Sequence, residues 1–251
     1  MIIITPDMEL PNIGLGTYQL DHQQTYRSVR WALEIGYRHI DTAALYKNEK
    51  QVGQAIRDSG ISRQQIFVTT KISAKAIRQQ QLQPAIESSL HQLDLDYIDL
   101  ILLHSPDAKL TQTWNQLSQL YDLYGNIRHI GVSNYQQIHL KQLEDAPIKP
   151  YANQIEITPF LTRQKLRQYC KNQDIQIIAH SSLTKGRQLN ITSATRLLKW
   201  ALQKNLKIIP RSANQKHIFD NFNLGSELLS EQIMKRLDQL DCGFATHPQH
   251  I

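Results

Sequence analysis

Asp41, Tyr46, Lys71 and His104 together carry the groups needed for a proton transfer. Three of them end apolar runs: YRHID closes on Asp41, IFVTTK on Lys71 and IDLILLH on His104. Tyr46 follows Asp41 by five positions, in the loop that leads into the next helical segment. A lysine kept charged by an aspartate favours the phenolate of a neighbouring tyrosine, so the Tyr46 pKa is expected to be lowered. A histidine beside them donates to a substrate oxygen. Such a set protonates a carbonyl oxygen while a hydride arrives at its carbon. Taken singly, the same residues read more simply as a buried ion pair, a core tyrosine and a satisfied histidine.

Bringing these residues together requires elements that end at one place. Eight short apolar runs recur at residues 13–17, 37–41, 66–71, 98–104, 127–133, 152–157, 175–180 and 206–212. They are spaced by about one βα unit, and segments such as 26–35, 110–124 and 193–205 carry helical periodicity between them. Gly36, Gly60 and Gly125 stand where helix-ending glycines belong. Residues 1–251 are therefore expected to form a single α/β domain, one closed (β/α)8 TIM barrel, rather than an open sheet. A short N-terminal β-hairpin over residues 2–10, turning at Pro6-Asp7, is expected to plug the barrel bottom. Chemistry in such a barrel sits at the C-terminal strand ends. That places Thr17, Ser133, Asn134, Glu156, His180 and Arg211 beside the four residues above.

The composition narrows the function classes. With 41% hydrophobic and 20% charged residues in 251, the chain is neither disordered nor low-complexity. Two distant cysteines, Cys170 and Cys242, make no disulfide framework, and no leader or spanning run is visible, so a cytoplasmic protein without a membrane partner is expected. The ten histidines lack HExxH spacing and the cysteines lack CxxC partners, so no metal is expected; His247 and His250 read as solvated tail residues. No coiled-coil pattern points beyond a monomer. The net charge is 28 − 22 = +6, and residues 160–217 hold twelve Lys or Arg against one acid, Asp174. A segment of this kind meets nucleic acid or a phosphorylated small molecule. It lacks the interleaved aromatics and reading motifs of a nucleic-acid binder, so no nucleic-acid partner is expected.

Longer stretches carry a resemblance. GYRHIDTAALYKNEKQVG at 36–53, LDLDYIDLILLHSP at 93–106 and IPRSANQKHIFDN at 209–221 resemble, in order, the three signature regions of the aldo-keto reductase family. GLGTY at 14–18, GNIRHIGVSNY at 125–135 and NQIEITP at 153–159 are similar to the family as well, so the likeness spans nearly the whole chain. It implies an NADP-dependent oxidoreductase that reduces a small aldehyde or ketone to the alcohol. By this resemblance Tyr46 is the proton donor, Lys71 tunes it, Asp41 pairs with Lys71, and His104 orients the carbonyl. Ser133, Asn134 and Gln154 match residues that hold the nicotinamide carboxamide. Gly16, Thr17 and Tyr18 match the loop near nicotinamide and substrate, and Ser181 and Leu183 match pyrophosphate contacts. Arg211 and Ser212 match the 2′-phosphate site, and Asp220 and Asn221 the residues that read adenine. Gly14-x-Gly16 lacks the third glycine of a dinucleotide fingerprint of the Rossmann type.

Departures from the family pattern qualify these expectations. His180 stands where a tyrosine usually stacks on the nicotinamide, Ser182 where a proline is usual, and His217 where an arginine usually grips the 2′-phosphate. NADPH/NADP is the expected cofactor, with NADH possible. Ser105 and Tyr18 replace frequent tryptophans, and the loops after His104 and Leu183 are short. These features point to a shallow, open site for small polar carbonyls such as 2-oxoaldehydes or keto sugars. The competing reading is an NADP(H)-binding barrel with low turnover that acts as a sensor or scaffold. His180, His217 and the short loops favour that alternative; the intact four-residue set opposes it.

Overall fold

The computed structural model describes residues 8–247. All eight expected runs are strands: β1 (Leu15–Gly16), β2 (His39–Asp41), β3 (Phe67–Ile72), β4 (Ile98–Leu103), β5 (Ile127–Ser133), β6 (Ala152–Glu156), β7 (Gln176–His180) and β8 (Lys207–Ile208). They pair in parallel, each with its neighbour in sequence. The cylinder closes where β8 meets the chain before β1. Ile208 N donates to Asn12 O and Gly14 N to Ile208 O, each at 2.8 Å, and Gly16 N reaches Pro210 O at 3.2 Å. β1 and β8 are shorter than the runs that announced them, because this seam holds through a few such bonds rather than a full ladder.

Among the described residues ten helices wrap the strands: α1 (His22–Ile35), α2 (Glu49–Asp58), α3 (Ala74–Arg78), α4 (Leu82–Leu93), α5 (Leu110–Tyr124), α6 (Gln137–Lys141), α7 (Gln164–Asn172), α8 (Ala194–Gln203), α9 (Gln215–Phe222) and α10 (Glu231–Asp238). Local chemistry sets their limits. Asp21 caps α1 by accepting from Gln24 N at 2.7 Å, while Gln24 Oε1 accepts from Asp21 N in return. The helix stops at Gly36, whose φ of 121° suits a residue without Cβ. Gly60 and Gly125 follow α2 and α5 in the same way, as their spacing predicts.

Side chains alternate along a strand, so the barrel has two cores. The larger lies between strands and helices and includes Val68, Ile72, Ile101, Leu103 and Trp114. The smaller fills the interior with Leu10, Phe67, Leu100, Leu102, Ala152, Ile178 and Ile209. Along β3, Phe67 belongs to the interior set and Val68 to the outer one, which puts Lys71 inside at the last turn of alternation. The interior also holds His39, fully buried, with Nε2 3.0 Å from Thr69 Oγ1 and its ring edge-on to Phe67. Burial lowers its pKa to about 3 and keeps it neutral. Gly14 makes room for it: a Cβ there would stand 2.4 Å from His39 Nδ1. The expected hairpin over 2–10 falls largely on residues 1–7, outside the described part, although Leu10 is buried in the interior set.

Candidate active site

The interior stops being apolar at the C-terminal strand ends. Asp41 ends β2 and Lys71 is the fifth residue of β3, and both point into the mouth. Lys71 Nζ donates to Asp41 Oδ1 at 2.5 Å and to the Thr42 carbonyl at 2.8 Å, with both residues buried. Burial pushes the Asp41 carboxyl up and the Lys71 ammonium down, each toward neutrality, while their mutual attraction opposes both shifts. Tyr46 ends a 3-10 turn, Ala44–Tyr46, and its Oη lies 3.5 Å from Lys71 Nζ. The ring of His104, one residue past β4, faces Tyr46 edge-on at 6.0 Å between centroids. The four residues that sequence grouped are therefore in one place.

Their protonation differs from expectation. The Tyr46 pKa is raised well above 10, first by burial and then by the Asp41 carboxylate. Desolvation of the phenolate outweighs the lysine, so the resting phenol keeps its proton at neutral pH. That is the form a proton donor needs.

A second set of hydrogen bonds covers the other side of the mouth. Asn134, held in the left-handed region at φ 63°, donates through Nδ2 to the His104 carbonyl at 3.0 Å and to Ser133 Oγ at 3.1 Å. Ser133 Oγ donates to the Gln154 carbonyl at 2.9 Å. With both donors engaged, Asn134 turns Oδ1 to His180 Nε2, 3.1 Å away, so that nitrogen carries a proton. His180 Nδ1 lies 3.1 Å from Ser181 Oγ. Gln154 departs from a purely ligand-facing role: its Nε2 donates to Asp41 Oδ2 at 2.6 Å. Thr17 donates to the Asp41 carbonyl through both N and Oγ1, each at 3.0 Å, and the ring of Tyr18 sits 5.0 Å from that of Tyr46. Gly16 precedes them at the end of β1, packed so closely that a Cβ would lie 2.8 Å from Ile209 O.

The remaining predicted residues follow β7 or β8 along the chain. Leu183 packs against the outer core at the start of a sharp turn, in which Ser181, Thr184 and Lys185 all have positive φ. Arg211 is exposed just past β8, and Ser212 is buried with Oγ accepting from Asn214 N at 3.0 Å. Asn214 caps α9 by accepting from His217 N at 3.1 Å, so His217 lies in the first turn of that helix. Farther along, Asp220 pairs with Lys216 at 2.6 Å and Asn221 is buried. Both lie on the next turn of α9.

The tail is where sequence reasoning fell short. His247 is half-buried, with its ring 6.3 Å from the rings of both Tyr18 and His180. It is held there by Glu156, the buried end of β6, which accepts from Thr246 N at 2.7 Å and His247 N at 3.3 Å. Phe160 O accepts from Cys242 N and Phe244 N, and Asp241 accepts from Thr162 N, so residues 241–247 are strapped across the rim. Nothing in the spacing announces contacts 90 and 91 residues apart. His250 lies outside the described residues.

The profile of the Aldo/keto reductase family matches residues 12–190. The chain belongs to that family. Among its relatives, this aldo/keto reductase is 40% identical over 249 residues to glyoxal reductase of Bacillus subtilis (strain 168), covering 93% of this chain and 90% of that one. It is 36% identical over 252 residues to methylglyoxal reductase DkgA of Yersinia pestis, with 93% and 90% covered. The crystal structure of MGS-M4, an aldo-keto reductase from a Medee basin deep-sea metagenome library, superposes with a TM-score of 0.87. The two are 35% identical, and the match covers 95% of this chain and 94% of that one. This aldo/keto reductase is thus a carbonyl oxidoreductase on a (β/α)8 barrel, and no helix among its described residues is long and apolar enough to cross a membrane.

Proposed function

We propose that this protein reduces small, polar aldehydes and ketones with NADPH, using Tyr46 as proton donor. The observation that carries the proposal is the Tyr46 phenol 3.5 Å from a lysine that Asp41 locks in place. The relatives named for glyoxal and methylglyoxal supply the substrate class. The rim fits an anionic dinucleotide. Arg211 is exposed beside the capped N-terminus of α9, where free amides and the helix dipole favour a phosphate. The surrounding segment is strongly basic, and Ser181 and Arg211 follow the neighbouring strands β7 and β8.

When bound, NADPH supplies a hydride to the carbonyl carbon. The protein's part is to orient the carbonyl and to move one proton. The carbonyl oxygen gains the Tyr46 Oη proton as the C–O double bond becomes single. The Lys71 ammonium then faces the phenolate that remains, and water returns the proton. His104, whose carbonyl is held by Asn134, borders the same oxygen site and donates to it. Asp41 works through Lys71, and Gln154 and Thr17 hold Asp41. The chain acts as one domain, as a cytoplasmic monomer, with neither a metal nor a nucleic-acid partner.

The test is loss of NADPH absorbance at 340 nm with glyoxal, methylglyoxal and bulkier ketones, repeated with NADH. Expected are turnover of the small carbonyls, a preference for NADPH, and loss of turnover in Tyr46→Phe with cofactor binding kept. Tight NADPH binding without turnover of any carbonyl would favour a sensor and overturn the proposal.

A further inference from the structure

Asn48 occupies the N-cap position of α2, and its backbone does what a cap requires: its carbonyl accepts from Gln51 N and Val52 N, each at 3.1 Å. An asparagine there ordinarily also turns its side chain back onto the first helical amides, which stabilises the helix. In this protein it makes no such bond. The side chain, fully buried, points the other way. Its Nδ2 donates to the Thr17 carbonyl and to Thr25 Oγ1, both at 3.0 Å, and its Oδ1 accepts from Thr42 Oγ1 at 2.9 Å. Nearby, Thr25 is itself tied to the Asp21 carbonyl at 2.7 Å.

These bonds close a ring around the proton donor. From Asn48 one arm runs through Thr42, whose carbonyl accepts from Lys71 Nζ. The other runs through Thr17, whose N and Oγ1 both donate to the Asp41 carbonyl. The Asp41–Lys71 ion pair joins the two arms. Tyr46 lies on the short turn between Thr42 and Asn48, and Tyr18, against which it packs, lies on the loop that Asn48 holds by Thr17 and Thr25. A side-chain amide suits this place because it offers an acceptor and two donors from one plane. Aspartate would set a carboxylate against the Thr17 carbonyl.

We infer that Asn48 is a positioning residue: it forgoes capping its own helix to hold the Tyr46 turn and the Tyr18 loop in register with the Asp41–Lys71 pair. This rests on the assignment of Tyr46 as proton donor under the proposed function. A shift of about 1 Å in a reacting group costs on the order of 100-fold in rate. Asn48→Ala is therefore expected to lower kcat about 10- to 100-fold, with the carbonyl KM and the NADPH Kd within about threefold. Thr42→Val removes one bond of the ring at nearly constant volume and carries the test if Asn48→Ala does not fold. It is expected to lower kcat about 3- to 10-fold. In both variants the kinetic isotope effect with 4-deuterated NADPH rises, because chemistry becomes slower relative to release.

A second readout needs no cofactor. In protein labelled with 13C at tyrosine Cζ, the Tyr46 resonance is the one missing from Tyr46→Phe, and it is expected to move in both variants. Folded variants with kcat within twofold of the parent and an unmoved Tyr46 resonance would overturn the inference. So would a lowered Tm accompanied by parental kcat well below that Tm, since the role would then be structural alone. A parent protein that reduces no carbonyl would refute the proposed function, whereas the resonance would still report whether Asn48 places Tyr46.

Discussion

Replacing Lys71 by methionine keeps the length of the side chain and removes its charge. The ammonium stands 3.5 Å from Tyr46 Oη, so at an effective dielectric of about 20 it stabilises a full phenolate charge by about 5 kcal/mol. A transition state carrying half of that charge loses about 2.4 kcal/mol, and one carrying all of it the whole amount. The expected fall in kcat is therefore about 50- to 3,000-fold. The single variant also leaves the Asp41 carboxylate buried without its cation, a loss that typically costs about 3–5 kcal/mol of stability. The two effects separate in Asp41→Asn/Lys71→Met, where position 41 still accepts from Gln154 and no buried charge is stranded. Thermal melts should show Tm falling in Lys71→Met and largely recovering in the double variant. Steady-state reduction of methylglyoxal should show kcat low in both. A well-folded double variant turning over within tenfold of the parent would refute the electrostatic role given to Lys71.

Three further outcomes are expected. His39 is held neutral, with its pKa at about 3 against an ordinary 6.5, so below pH 6.5 the unfolded chain takes up a proton that the folded one refuses. Stability is thus lost as pH falls through that window, by about 3 kcal/mol at about pH 4.5. Urea midpoints should show this, and His39→Gln should flatten it; an unchanged slope would count against His39. Gly14→Ala presses a Cβ to 2.4 Å from His39 Nδ1, and calorimetry should record a loss of about 1–3 kcal/mol. Arg211→Ala should raise the NADPH KM about 10- to 100-fold and leave that of NADH within twofold, because only a 2′-phosphate uses a bidentate guanidinium contact; equal effects on both would refute its assignment.

What was legible from sequence depended on the range of the interaction. Asp41, Lys71 and His104 could be picked out because each is a polar residue ending an apolar run, and a parallel barrel gathers all such ends at one rim. The helix stops at Gly36 and Gly125 were equally local. The sign of the Tyr46 shift was not legible, because spacing shows which charges are near but not how little water reaches a phenol. Gln154 turned out to hold Asp41, a contact across the barrel between β6 and β2 that depends on which residues share a layer. Asn48 went unremarked, because it stands at an ordinary cap position and only the direction of its side chain distinguishes it. The placing of His247 depended on Glu156 and a tail far away in sequence.

Glu156 has a consequence for the electrical character of the rim. Its carboxylate is the remaining acid among the inward-facing strand ends besides Asp41, which Lys71 and Gln154 already compensate. Left bare, it would cast a negative field over the arc proposed for the anionic dinucleotide. The two tail amides cover it, so residues 241–247 act as insulation as well as a wall. Cutting the chain after Leu240 should then weaken dinucleotide binding even though the basic residues of the rim are untouched. The loss should shrink as added salt screens the exposed charge.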